Sequence, residues 1–158
     1  GGTQERDRRA GTETVAGIVG MGVAAEEAMN RTVQDREQVR RLRDRLEQGI
    51  LDSIPTAHVM GRGAPRIHNT TNIAFEGLEA EAILILLSEE GICASSGSAC
   101  SSGSLEPSHV LKAMAIDDRI AHGAIRFSLS HFTTDQEIDH VVDALPSLLS
   151  RLEALSRP

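Results

Sequence analysis

Cys100 stands in the middle of SSGSACSSGS, residues 95–104, which holds six serines, two glycines, one alanine and one cysteine. Nothing in that run is large enough to pack, so a mobile loop is expected. Pro107 suits the first turn of a following helix, which places the thiol just before a helix amino terminus whose dipole favours the thiolate. Exposure, mobility and thiolate stabilisation together fit a cysteine that acts as a nucleophile. Cys93, between Ile92 and Ala94, is expected to be packed and unreactive.

Three other positions could do chemistry. Arg126 lies in AIRFSLS, 124–130, where Ile125, Phe127 and Leu129 alternate with Arg126, Ser128 and Ser130. This is the pattern of a half-buried strand, and a guanidinium fixed to such a rigid element suits bidentate capture of a carboxylate. A structural ion pair with a neighbouring Asp or Glu would explain it equally well. Thr12 follows Gly11 and is read as a helix N-cap, where a hydroxyl and unpaired backbone N–H groups can receive a phosphate, although capping alone would also account for it. Lys112, the only lysine, is read as an ordinary solvated side chain in the helix after the cysteine loop. The six histidines share no metal-site spacing.

The elements that must position these residues can be read from periodicity. Residues 1–11 are polar, glycine-containing and aperiodic, so a loop is expected. Thr12 to Met29 has a helical pattern crowded with glycine and alanine, which allows close approach of another backbone. From Gln34 to Leu51 an amphipathic helix is predicted, with Val39, Leu42, Leu46 and Ile50 inward and the arginines of 36–45 solvated. Ala57–Met60 and Thr70–Phe75 have strand character, Glu79–Glu90 is helical and ends at Gly91, and Ile92–Ala94 is a candidate short strand. Thr134 and Glu137 form a capping box for a last helix that reaches Leu155, with a bend expected near Pro146. Too few βαβ units are present for a doubly wound sheet, so the fold class is α+β, with a small, mostly antiparallel sheet covered by helices.

Composition narrows the function classes. A net charge of −7 argues against nucleic-acid and membrane-surface partners, which need a basic face, and the absence of Tyr and Trp removes the rings on which bases stack. No apolar run approaches the roughly 20 residues that cross a bilayer, and the first ten residues lack the apolar stretch of a signal peptide. A cytoplasmic chain is the expectation. Two cysteines are too few for a disulfide framework, so any cysteine chemistry is thiol chemistry. The start at Gly1 without Met, together with the single lysine, leads to the expectation that further sequence lies upstream.

These motifs resemble a known family. SSGSACSSGSLEPSHVLKAM, 95–114, resembles the active-cysteine loop and following helix of NifS- and IscS-type cysteine desulfurases. GTQERDRRAGTETVAGIVGMG is similar to the segment that precedes their linker helix, and HNTTNIAFEGLEAEAILILL and AHGAIRFSLSHFTTDQEID match the remaining landmarks in order. The resemblance covers essentially the whole chain, and GSLEPSHV is closer to the nitrogen-fixation type than to the housekeeping type.

The resemblance implies a fold-type I pyridoxal phosphate enzyme, with residues 1–30 ending its large cofactor-binding domain in an interface helix and 31–158 forming its small C-terminal domain. It implies that Cys100 takes sulfur from L-cysteine as a persulfide, leaving L-alanine, and that Arg126 holds the substrate carboxylate. Thr12 would reach across a homodimer interface to the phosphate of pyridoxal 5'-phosphate in the neighbouring subunit, and an iron–sulfur scaffold protein would accept the sulfur. Any metal role for Cys100 would be as a transient, shared iron–sulfur ligand, because one cysteine cannot hold a cluster. The family's Schiff-base lysine falls upstream of Gly1 and Lys112 does not match it, so the chain alone is expected to be inactive. Thr3 and Asp7 stand where the family usually has Gly, and Ser101 where Thr is common. The alternative from a different class is a freestanding persulfide carrier or interaction module without its own cofactor.

Overall fold

The computed structural model describes residues 2–31, 33–96 and 107–156, and the chain divides into two units, Gly1–Val33 and Gln34–Pro158. In the first unit the opening residues form a hairpin instead of the expected loop. Strands β1 (Thr3–Gln4) and β2 (Arg9–Ala10) pair antiparallel, Thr3 opposite Ala10 and Gln4 opposite Arg9. The reversal puts Glu5, Arg6 and Asp7 at φ of 53°, 56° and 63°, left-handed backbone that costs a non-glycine residue about 1 kcal/mol. Arg9 donates to the Gly11 carbonyl and to Glu13 Oε1, both at 2.6 Å, which ties the hairpin exit to the segment beyond it.

Helix α1 spans Val15–Asn30, three residues later than the sequence pattern places it. Its N-cap is Thr14, not Thr12, and the Thr14 hydroxyl makes no capping hydrogen bond. Every residue of α1 is exposed.

The second unit is organised around helix α2 (Val33–Ser53), whose stripe of Val39, Leu42, Leu46 and Ile50 is buried as its spacing predicts. Gly49 permits close approach to a later helix: a Cβ there would lie 2.8 and 2.9 Å from the Val142 methyl groups. Next come β3 (Ala57–Val59), β4 (Thr70–Phe75), α3 (Ala80–Glu89) and β5 (Ser95–Ser96). Gly91, at φ 73°, ends α3 with its N–H on the Ser88 carbonyl while Ile92 N–H reaches Leu87, a left-handed cap that glycine adopts without strain. The short strand therefore begins at Ser95 and not at Ile92.

From Pro107 onward, α4 (His109–Ala113) and α5 (Asp118–Ala121) lead into β6 (Ala124–Ser128), and α6 (Asp135–Ser156) follows, continuous as a helix through Pro146. The capping box at its start is formed: Thr134 N–H donates to Glu137 Oε2 at 2.7 Å, and Glu137 N–H donates to Thr134 Oγ1 at 3.3 Å. The first of these bonds holds the Glu137 carboxyl below its usual range. The four strands are ordered β3-β4-β6-β5, with every neighbouring pair antiparallel. The observed class is α+β, with helices on an antiparallel sheet.

The two faces of this sheet differ. Ile73, Phe75, Ile125 and Phe127 enter the main core with α2, α3 and α6. Their sequence neighbours Ala74 and Ala124, a cross-strand pair, point to the other face and form a smaller cluster with Leu111 of α4 and Ala121 of α5. Farther along that second face the rows become polar.

One charged group departs from its expected place. Arg43 is only 6% exposed, although it lies within the arginine run read as solvated. It donates to the Ile67 carbonyl at 2.8 Å and lies 3.8 Å from Glu47, itself gripped by Arg66 at 2.8 and 3.1 Å. Burial opposes the charge on Glu47, but the Arg66 fork and Arg43 outweigh it and hold the carboxyl below the usual carboxylate range. This network fastens the loop before β4 to α2, and so fixes where β4 enters the sheet.

Candidate functional site

Arg126 occupies the third position of β6, with both sequence neighbours, Ile125 and Phe127, anchored in the core. Its side chain is exposed on the polar stretch of the second sheet face. Two strands flank it: its partner on β4 is Asn72, and its partner on β5 is Ser95. Among the described residues the guanidinium donates one hydrogen bond, a long one of 3.4 Å, to Ser95 Oγ. Among the described residues no carboxylate lies within ion-pair distance of it, so the structural ion pair that the sequence left open is not formed with any of them. A rigidly mounted cation without an acid partner is a ready receptor for a small carboxylate.

Cys100 lies outside the described residues, 97–106 being among those not described, but both ends of its segment are defined. Ser95, beside Arg126, is in the strand that leads into it, and Leu111 of α4, in the cluster with Ala74 and Ala124, lies on the helix that follows it.

Cys93 is a free thiol and is exposed, contrary to the packed position expected for it. Ile92 is buried and Cys93 is not, because successive side chains of extended backbone point to opposite sides. It borders a cleft of about 560 Å³ whose walls include Leu46, Phe127, Leu129, Ile138 and Val141. Those are core-side residues, so the cleft opens on the face of the sheet opposite Arg126 and does not coincide with the carboxylate receptor.

Thr12 belongs to the other unit. It is exposed, follows Gly11 at φ 88°, and has no hydrogen-bond partner for its hydroxyl among the described residues. Among the described residues no group of three or more His, Cys, Asp or Glu is disposed to hold a metal ion. No helix among them is long and apolar enough to cross a membrane.

An antiparallel sheet under helices, with an arginine that meets no carboxylate among the described residues, defines a site that comparison with known proteins places in a family. The aminotransferase class-V family matches residues 2–141, and the chain belongs to it. A cysteine desulfurase of Gluconacetobacter diazotrophicus is 56% identical over 156 residues, 99% of this chain and 39% of that protein. The cysteine desulfurase NifS of Azotobacter vinelandii is 55% identical over the same length, again 99% of this chain and 39% of that protein. The solved structure of a NifS-like protein from Rickettsia africae superposes with a TM-score of 0.82 at 31% identity, covering 95% of this chain and 39% of that one. The chain thus spans about two fifths of the length of the curated relatives it matches.

The family implies pyridoxal phosphate, and the residues present meet that group only in part. The unpartnered Thr12 hydroxyl, close to an α1 start that no side chain caps, suits a phosphate oxygen. Attachment is another matter: Lys112, the only lysine, is exposed on the five-residue helix α4. Among the described residues, Thr12 thus suits a contact to the phosphate, and the exposed Lys112 does not suit attachment.

Proposed function

We propose that this chain is the carboxy-terminal part of a pyridoxal phosphate-dependent cysteine desulfurase, in which Cys100 takes sulfur from L-cysteine and Arg126 holds the carboxylate of that substrate. The observation that carries the reading is Arg126 itself: exposed, fixed on an inner strand, without an acid partner among the described residues, and paired with the strand that leads to Cys100. Residues 1–30 then complete a large cofactor-binding domain and 31–158 form the small domain.

The chemistry assigned to the chain is a single sulfur transfer. The Cys100 thiolate attacks the sulfur of the bound substrate; an S–S bond forms, the substrate C–S bond breaks, and the carbon takes a proton to leave as L-alanine. Sulfur remains on Cys100 as a persulfide. The cofactor, when bound in the longer protein, supplies the electron withdrawal that makes the substrate sulfur open to attack. Arg126 orients the substrate through its carboxylate, Thr12 contacts the cofactor phosphate across a homodimer interface, and the anchoring lysine belongs to sequence outside this chain. An iron–sulfur scaffold protein in the cytoplasm, serving nitrogen fixation, is the matching sulfur acceptor.

The test compares this chain with a version extended upstream to the full length of its relatives, by sulfide release from L-cysteine with added pyridoxal phosphate. Turnover is expected only in the extended protein. There, Cys100→Ser abolishes persulfide formation and leaves the cofactor absorbance intact. Turnover by this chain alone, or cofactor absorbance lost with Cys100→Ser, overturns the assignment.

A further inference from the structure

We propose that Asn72 is a positioning residue for Arg126, forming with Ser95 a two-sided clamp that aims the guanidinium at a carboxylate; the inference rests on the reading of Arg126 given above. Asn72 and Arg126 are direct partners across β4 and β6, so their side chains rise from the same face. The Asn72 backbone is already engaged, since its carbonyl accepts from Met60 N–H at 2.8 Å. Its side-chain oxygen is not: Oδ1 is buried and has no hydrogen-bond partner among the described residues. A buried amide oxygen without a donor is costly and uncommon, and it calls for a partner that arrives in the working state.

The neighbouring strand supplies that partner. A guanidinium carries five N–H donors, and the single bond of Arg126 to a described residue is the long one to Ser95 Oγ. An unfilled acceptor on β4 thus adjoins an underused set of donors on β6, with a hydroxyl acceptor on β5 at the opposite side. Two N–H groups suffice to grip a carboxylate, which leaves others to donate to Asn72 Oδ1 and Ser95 Oγ. Held from both flanking strands, the fork cannot rotate out of line with its ligand. An amide is the suitable group at position 72. Its oxygen accepts a hydrogen bond without neutralising the cation, whereas a carboxylate there would take the place of the substrate's own.

The test is made in the extended enzyme with Asn72→Ala, Asn72→Asp and Arg126→Ala, reading KM and kcat for L-cysteine, calorimetric binding of L-alanine, and thermal stability. Asn72→Ala is expected to raise KM about tenfold with kcat within about threefold, the signature of lost ground-state binding, and to weaken L-alanine binding by the same factor. Asn72→Asp, although matched in shape, is expected to bind both ligands more weakly still, because its carboxylate occupies the fork. A purely structural role for Asn72 predicts the reverse order, with Asn72→Asp nearer the parent, and that order overturns the inference. If Arg126→Ala raises KM and Asn72→Ala does not, positioning fails and the Arg126 reading stands; if Arg126→Ala leaves KM unchanged, the Arg126 reading itself fails and takes the clamp with it.

Discussion

In Gln34–Pro158, Leu42, Leu46, Ile73, Phe75, Ile83 and Ile125 are each no more than 1% exposed, whereas in Gly1–Val33 no described residue is buried, and Val19 and Met21 of α1 are 60% and 70% exposed. The larger unit carries its own core and can hold its sheet, and with it Arg126, in place by burial of apolar surface. The smaller one has a helix of sixteen residues that includes Gly17, Gly20 and Gly22, each costing about 1 kcal/mol of helix propensity relative to alanine. Such a helix is marginal in water on its own and draws its stability from packing. Gly49 and Gly123 of the larger unit thus fill places where the chain has no room, while Gly20 and Gly22 of the smaller unit border open space.

Gly123→Ala should produce the largest effect. A Cβ at Gly123 would lie 2.1 Å from the Phe75 carbonyl oxygen and 3.0 Å from that of Leu78, and neither backbone atom can swing aside. The entry of β6 would have to shift, breaking the bond from Phe75 N–H to the Gly123 carbonyl. A loss of about 3 kcal/mol or more is expected, read as a lower urea midpoint of the larger unit's transition. Arg126 follows three residues later on the same strand, so under the function proposed above the extended protein should also bind L-cysteine less tightly. An unchanged midpoint would mean that this packing is looser than the geometry indicates.

Glu47→Gln comes next, at about 2 kcal/mol near neutral pH, because Arg43 and Arg66 would lose their shared carboxylate. The sign with pH is set by the depressed Glu47 carboxyl. A lowered folded-state value contributes stability above the ordinary glutamate pKa of about 4.3, and that contribution is lost as pH falls through the lowered value. The gap between parent and Glu47→Gln should thus be full at pH 7 and close in acid. Urea midpoints taken at both ends of that range check it, and a gap that stays constant with pH would remove Glu47 ionisation as its cause.

What could be read from the sequence divides along the same line. The stripe of α2, the β4 boundaries, the alternation through Arg126, the Gly91 cap and the capping box at Thr134 all depend on neighbours a few residues apart, and all are present in the structure. Features set by distant partners were hidden. Arg43 sits among interleaved charges and looks solvated until Ile67 and Glu47 close over it. Cys93 has apolar neighbours that turn away from it, and Asn72 gains its importance only from the strand that brings it beside Arg126. The hairpin at Thr3–Ala10 was missed because its reversal uses left-handed Glu5, Arg6 and Asp7, where turn chemistry leads one to expect glycine or asparagine. Cys100 was singled out from the composition of the residues around it, and it lies outside the described residues.

Gly20→Ala carries the smallest effect and should have the opposite sign to Gly123→Ala. Nothing lies within 4 Å of the Cβ it would add, so in this chain the methyl group meets no obstacle. Helix propensity then favours alanine by up to about 1 kcal/mol, partly through the lower freedom of the unfolded backbone. Slower amide hydrogen exchange across α1 is the expected result, with the larger unit's urea midpoint unmoved. In the extended enzyme the sign becomes informative: if the small-residue face of α1 is covered there by the remainder of the protein or by a second subunit, the added methyl group must displace that partner, and the gain should vanish or turn into a loss. A gain of equal size in both proteins would mean that the open glycine face of α1 receives nothing, and that the two units differ in stability without differing in what they are built to contact.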